Sequence, residues 1–462
     1  MNDYVFGVEW LDKNFSDLLK LKPLILIAGC PGSGKTVLAC TISYANALRG
    51  HKVLYITFHE SKEKLFKIMS GLGMSLSDVE VRGTFKFVRI PLPLIIESLN
   101  ETISKLISGY SPEVVVFDTI NPILTITKDE SVKRALLQNF FYELSESING
   151  MTILVAESDG EDINLSNVEF IADAIFILKQ KVSKGLVSRS LMIKKVRGVD
   201  ISIAEIPFRI CGNLGLVLYP PPILEEVSTE YGELGLPCEV LRKVIGHIHK
   251  SMPIYITYPP DARPPHAAVI PLSIALLNNL KVLFVSYIYP PDILKSQLIR
   301  ALSLTGLKSE EIKELIDKYV VVKSINPTAY SLDELYMREL RLVESIKGLG
   351  VVVFHDVGLV AGLSNADNYL LNLIYNQLNY LRLKGLLTIR LGSYVSDELY
   401  RLNSLLSSMV LRFEPVFKDG RFVGVQAYVW RRGTTPYIIT SEELSRCFEE
   451  IAVNIRRRCL SR

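Results

Sequence analysis

Apolar residues along this chain fall into short continuous runs separated by stretches of helical spacing. Residues 24–28, 53–58, 114–117 and 151–156 are such runs, bounded by turn residues. Runs of this length with no polar alternation predict strands buried on both faces. Between them, residues 36–47 are compatible with a helix, and 62–68 place apolar side chains at i and i+3. Two later segments, 168–178 and 190–197, supply further strand-forming residues. Strand and helix in alternation predict an α/β fold with a doubly wound, mostly parallel sheet.

After Pro220-Pro221-Pro222 and the polar stretch 225–232 the pattern restarts. At an offset of 229 positions, Ile256 falls on Ile27 and Val282 on Val53, with no gap between them. Self-similarity over this span predicts a duplicated domain. The expected organisation is a first domain at 1–219, a linker at 220–236, a second domain at 237–440, and a basic C-terminal helix or tail at 441–462.

The chain's 462 residues exceed what one core organises, which agrees with two domains. Its net charge of +3 gives no general nucleic-acid or membrane surface. No segment is apolar for long enough to span a bilayer, and the first residues lack the regions of a signal peptide. The six cysteines, at 30, 40, 211, 238, 447 and 459, form no metal-binding spacing. Buried reduced thiols in a cytoplasmic protein are the expectation.

Chemistry concentrates where the first apolar run ends. Gly29-Cys30-Pro31-Gly32-Ser33-Gly34-Lys35-Thr36 fits the phosphate-loop pattern in full. Its glycines let backbone N–H groups wrap phosphate oxygens, and the following helix adds a positive N-terminal end. Lys35 is placed for the β- and γ-phosphates and Thr36 for Mg²⁺, so ATP and Mg²⁺ are the expected ligands. The run 114–117 ends in Asp118, a carboxylate that holds Mg²⁺ directly or through water. Glu60, just past the run 53–58, either orients the attacking water or merely begins a helix.

The second half keeps the pattern without this chemistry. The phosphate-loop positions read Tyr258-Pro259-Pro260-Asp261-Ala262-Arg263-Pro264-Pro265, and four prolines lack the N–H groups a phosphate cradle needs. Tyr289 replaces Glu60, His355 replaces Asp118, and Trp430 and Arg432 stand for Lys195 and Arg197. His355 and Asp356, adjacent on a strand, point to opposite faces and make an awkward ligand pair.

The combination of Gly7-Val8, Leu11-Asp12, the phosphate loop, His59-Glu60, Asp118-Thr119, the segment 168–173 and Lys194-Lys195-Val196-Arg197-Gly198 resembles the KaiC-like branch of the RecA-fold ATPases. The resemblance covers about residues 4–218. It implies tandem RecA-like P-loop NTPase domains, the second degenerate, with ATP hydrolysis confined to the first and no autokinase activity. It also implies that Lys195 and Arg197 reach a neighbouring subunit's nucleotide in a homo-oligomeric ring, most often a hexamer. The family's usual Glu-Glu pair is here His59-Glu60, which puts the hydrolysis rate in question.

Three functions follow. The leading one is a Mg²⁺-dependent ATPase whose nucleotide state sets ring assembly and the binding of a protein partner not named by the sequence. The second is a DNA-binding recombination or repair accessory. Its channel loop, Ser158-Asp159-Gly160-Glu161-Asp162, is acidic and would repel phosphates, while the tail with Arg456-Arg457-Arg458 is basic. The third is a nucleotide-gated scaffold with little hydrolysis.

Overall fold

A computed structural model describes residues 3–91, 96–124, 141, 143–158, 166–183, 185–222, 224, 226, 232–363 and 368–457. The chain divides into two units, Met1–Pro220 and Pro221–Arg462.

In the first unit the apolar runs become β1 (Leu24–Gly29), β2 (Val53–Thr57), β3 (Phe85–Arg89), β4 (Val114–Asp118) and β5 (Met151–Glu157). They are followed by β6 (Ala174–Ser183), β7 (Leu186–Val196), β8 (Glu205–Cys211) and β9 (Gly215–Leu218). The sheet runs β3-β2-β4-β5-β1-β6-β7-β8-β9. Pairing is parallel from β3 through β6 and antiparallel from β6 onward.

Strand alternation divides the core between the two faces. Ile25, Ile27, Val53, Tyr55 and Val116 pack on one side with the helices α1 (Glu9–Lys20) and α2 (Lys35–Leu48). Leu24, Leu26, Leu54, Ile56 and Phe117 pack on the other. Covering both faces explains why the runs show no polar alternation. Ahead of β1, the Asp12 carboxylate accepts a hydrogen bond from the Phe6 amide at 2.5 Å. Gly7 has φ +69°, and a Cβ there would lie 2.6 Å from that of Ala45 on α2. These contacts give the Gly7-Val8…Leu11-Asp12 motif its structural reason.

The second unit opens with a short antiparallel pair, β10 (Glu233–Leu234) and β11 (Ile248–His249). Leu234 and Leu236, read from sequence as the end of a linker, are buried in this unit's core. Its main strands are β12 (Pro253–Tyr258), β13 (Lys281–Ser286), β14 (Val320–Ser324) and β15 (Leu349–His355). After these come β16 (Leu387–Ser393), β17 (Met409–Lys418), β18 (Arg421–Arg431) and β19 (Tyr437–Ile439). Their order, β14-β13-β15-β16-β12-β17-β18-β19, repeats that of β3 through β8 strand for strand. Both units are thus mixed α/β folds with large, mostly parallel sheets.

Two features depart from expectation. The helix Ser441–Ile455 is part of the second unit, with Leu444, Phe448, Ile451 and Ile455 in its core. Arg456 at its end is not a free basic group, because its guanidinium pairs with Glu311 at 3.0 Å. More directly, the expectation of reduced thiols is corrected by a disulfide between Cys238 and Cys447. The partners are 209 residues apart, and they meet because the helix Ser441–Ile455 packs against the helix Glu239–Ile245. Cys30, Cys40 and Cys211 are free.

Candidate nucleotide site

The carboxyl ends of β1, β2, β4 and β5 form one edge of the first sheet, where open α/β folds bind ligands. Strand register brings the expected residues there together. Thr57, three residues before Glu60, lies opposite Asp118, and Gly29 lies opposite Glu157.

The loop from Gly29 to Thr36 is held by close backbone approach. A Cβ on Gly29 would sit 2.2 Å from the Leu178 carbonyl oxygen, so no side chain fits. Gly34 takes φ +109° immediately before α2, a conformation that only glycine adopts without strain. The Ser33 amide donates to the Cys30 carbonyl at 3.2 Å, closing a turn across Pro31 and Gly32. The Ser33 hydroxyl is buried without a hydrogen-bond partner. The first turn of α2 has no acidic residue and no side-chain cap, so its positive end is not compensated locally.

Lys35 is 6% exposed and donates from Nζ to the Cys30 carbonyl at 2.9 Å. Burial lowers its pKa, against the opposing pull of the Glu157 and Asp118 charges. Asp118 is similarly enclosed. Burial raises its pKa, while hydrogen bonds to Tyr55 and Thr36 and the charge of Lys35 act to lower it. The Tyr55 hydroxyl donates to Asp118 Oδ2 at 2.5 Å. The carboxylate expected to hold Mg²⁺ is therefore anchored by Tyr55, with Thr36 beside it.

Glu60 is near enough for its charge to act on Asp118. Its amide donates to Thr57 Oγ1 at 3.2 Å, which fixes the turn after β2. Its carboxylate pairs with Lys64 at 3.1 Å on α3 (Lys62–Gly71), whose N-cap is Ser61. Glu60 is thus outside the helix it precedes, and its carboxylate is partly exposed at the sheet edge.

Lys195 and Arg197 are elsewhere. Lys195 lies opposite Ile175, near the start of β6, and donates to the Glu169 carbonyl at 3.2 Å. Arg197 pairs with Asp173 at 2.8 Å, and Asp173 accepts the amide of Leu24 at 3.0 Å. Both therefore stand at the entry end of β1, while the phosphate loop begins at its exit. Five residue steps of strand separate the ends by roughly 16 Å. Burial lowers the pKa of Lys195, and the adjacent Arg197 lowers it further.

Sequence reasoning passed over three residues at this edge. Tyr55 is inside a strand, where an aromatic residue reads as core filling. Asn121 fixes the end of β5 by accepting from the Glu157 amide at 2.6 Å and donating to its carbonyl at 3.0 Å. Glu157 ends an apolar run as Asp118 does, and that placement alone marks it as a second carboxylate facing Lys35. Residues 159–162 of the acidic loop lie outside the described residues. Among those described, no group of three or more His, Cys, Asp or Glu is arranged to hold a metal by itself. A Mg²⁺ ion would rely on Thr36, Asp118 and the phosphates it accompanies, as suits a cation that keeps several of its waters. Nor, among the described residues, is any helix long and apolar enough to cross a membrane.

Residues 5–222 match the family model described as "ATPase: KaiC". The first unit is a KaiC-like domain of the RecA superfamily. That family is one of ATP-binding ATPase domains, and the site at the sheet edge has the residues for such a ligand. The circadian clock protein KaiC3 of Synechocystis is 27% identical over 233 residues, 47% of this chain and 46% of that protein. The KaiC oscillator protein of Picosynechococcus is 24% identical over 195 residues, covering 42% and 38%. A UPF0273 protein of Thermotoga maritima is 23% identical over 235 residues, which is 46% of this chain but 94% of that protein. The matches span less than half the length of either clock protein. The second unit lies outside the residues matched by the family model.

Proposed function

We propose that this protein is a Mg²⁺-dependent ATPase in which the first unit alone hydrolyses ATP and nucleotide state governs ring assembly and partner binding. The observation that carries the reading is the meeting of Thr36, Lys35 and Glu60 around the Asp118 carboxylate, which the Tyr55 hydroxyl anchors at 2.5 Å. Gly29 to Thr36 cradle the phosphates, Lys35 neutralises them, and Thr36 and Asp118 hold the metal. Held by Thr36 and Asp118, Mg²⁺ would supply positive charge that offsets the charge developing on the phosphates. Glu60 orients the attacking water once Lys64 releases it.

Lys195 and Arg197 stand too far from their own phosphate loop to act on it, which suits a role at a neighbouring subunit's nucleotide. This reading requires a homo-oligomeric ring, which in the KaiC-like family is most often a hexamer. No autokinase activity is expected of the second unit, which has Pro264 and Pro265 where the first has Lys35 and Thr36.

A scaffold reading has two observations in its favour. The Glu60–Lys64 pair and His59 in place of a second acid leave hydrolysis weakly driven. ATP turnover with Mg²⁺, measured beside Glu60→Gln and Lys195→Ala with oligomer mass recorded, separates the two. Turnover lost in both variants of a nucleotide-stabilised ring supports the ATPase. Tight binding without turnover in any of the three selects the scaffold.

A further inference from the structure

In the second unit the edge corresponding to the nucleotide site encloses a cavity of about 460 Å³. That volume lies in the range of small-molecule sites and is far larger than a packing defect. One wall is apolar, from Leu294, Leu298 and Ala301 on the helix Pro291–Ser303 and Ala267 and Ala268 on the helix His266–Leu277. The other carries Tyr289, His355, Arg263 and Arg300.

The charge of this lining is opposite to that of the first unit. Where Glu60 and Asp118 hold a cation, Tyr289 and His355 stand, and no acidic residue lines the cavity. His355 is 6% exposed, and its Nδ1 has no partner of hydrogen-bonding geometry, although Asp356 Oδ2 approaches to 3.1 Å. Asp356 is the only nearby acid these contacts reveal. It is 2% exposed, behind the wall, and engaged by the Tyr258 hydroxyl at 3.4 Å and by Arg263 at 3.9 Å. Arg263 also donates to the Tyr289 hydroxyl. Asp356 thus lies behind both His355 and Arg263, and Arg300 is the cation of the lining beside which these contacts show no acid. Pro264 and Pro265 remove backbone donors from the loop, so an anion here must be held by side chains.

We propose that this cavity is a metal-independent binding site for a small molecule with a carboxylate or phosphate group on a flat apolar body. The anion is held by Arg300 at the wall that His355 forms, and the body lies between Tyr289 and the two helices. ATP is excluded, because neither a phosphate-loop lysine nor a metal-holding acid remains.

The probe is 8-anilinonaphthalene-1-sulfonate, an anion on an aromatic body, titrated into the full chain in EDTA and again with saturating Mg²⁺ and ATP. One molecule bound per chain under both conditions is expected. Arg300→Ala, a surface change, should weaken it about tenfold, as the loss of one charge-assisted contact does. Ala268→Trp, which fills the cavity, should abolish it in a chain whose circular dichroism is unchanged. The uncharged analogue N-phenyl-1-naphthylamine should bind at least about fivefold more weakly. Displacement by phenyl phosphate or by 3-phenylpropionate then distinguishes a phosphate ligand from a carboxylate. The proposal is overturned by displacement with Mg²⁺-ATP, by equal binding of the uncharged analogue, by binding that survives both substitutions, or by displacement with neither competitor.

Discussion

Tyr55 and Asp118, on neighbouring strands β2 and β4, share a buried hydrogen bond of 2.5 Å in the first sheet. The phenol is fully buried and its pKa is raised well above the ordinary value, first by burial and then by the Asp118 charge. It is therefore a fixed donor at working pH. One oxygen of Asp118 is committed to it, which fixes the orientation of the carboxylate.

Tyr55→Phe should leave ATP binding in EDTA within about twofold and move the Mg²⁺ dependence of turnover to higher concentration. The cost in stability should be about 1–2 kcal/mol, since a buried acceptor loses one donor. A Mg²⁺ titration of turnover beside a denaturation curve tests this. An unchanged Mg²⁺ midpoint would remove Tyr55 from the site and leave it as core.

The separation of Lys195 and Arg197 from their own phosphate loop makes complementation measurable. Glu60→Gln keeps an intact Lys195–Arg197 edge, and the Lys195→Ala, Arg197→Ala double variant keeps an intact phosphate loop. Each alone should be slow, the latter by up to ~10³-fold if the pair acts as a trans arginine finger does. Mixed and reassembled, roughly a quarter of head-to-tail interfaces would pair two intact halves and regain activity. Mixtures no faster than the average of their parts would confine Arg197 to its ion pair with Asp173 and Lys195 to its hydrogen bond with the Glu169 carbonyl.

How much of this was legible in the sequence depended on distance along the chain. The phosphate loop, Asp118 and Glu60 sit where apolar runs stop, so local pattern placed them on strand ends, and parallel register did the rest. The same rule, applied to residues 151–157, would have raised Glu157. Tyr55 was hidden because its hydroxyl matters only through a strand that arrives 63 residues later. The second sheet's order was foreshadowed by the constant offset between Ile27 and Ile256 and between Val53 and Val282. What took the place of the lost phosphate loop, a cationic cavity, required side chains from widely separated strands, helices and loops and left no motif.

Cys238 and Cys447 were hidden for the same reason of distance. Their bond closes a loop that contains nearly all of the second unit, and it ties the helix Ser441–Ile455 to the helix Glu239–Ile245. Cys447→Ser, or reduction of the wild type, should destabilise the second unit by about 2–5 kcal/mol. ATP affinity should be unchanged, because the first unit's site contains no part of this bond. Equal melting of oxidised and reduced protein would mean that helix packing alone holds the terminus.

Glu339 gives the second unit a pH dependence of predictable sign. It lies on the helix Leu332–Glu344 and is fully buried. Tyr287 donates to Oε1 at 2.5 Å and Gln377 to Oε2 at 2.6 Å. Burial pushes its pKa from 4.5 up to about 7, with the two hydrogen bonds and the Arg390 charge opposing the shift. Between these values the folded chain keeps a proton that the unfolded chain releases. Stability should therefore fall as pH rises from about 4.5 to about 7 and then level off, by about 1–3 kcal/mol in all. Glu339→Gln should flatten that slope. Trp430 is the only tryptophan in this unit, so its fluorescence in a Trp10→Phe background reports the transition during urea denaturation. The same slope in Glu339→Gln would show that the carboxyl is ionised throughout and that Arg390, 3% exposed in the same interior, balances its charge.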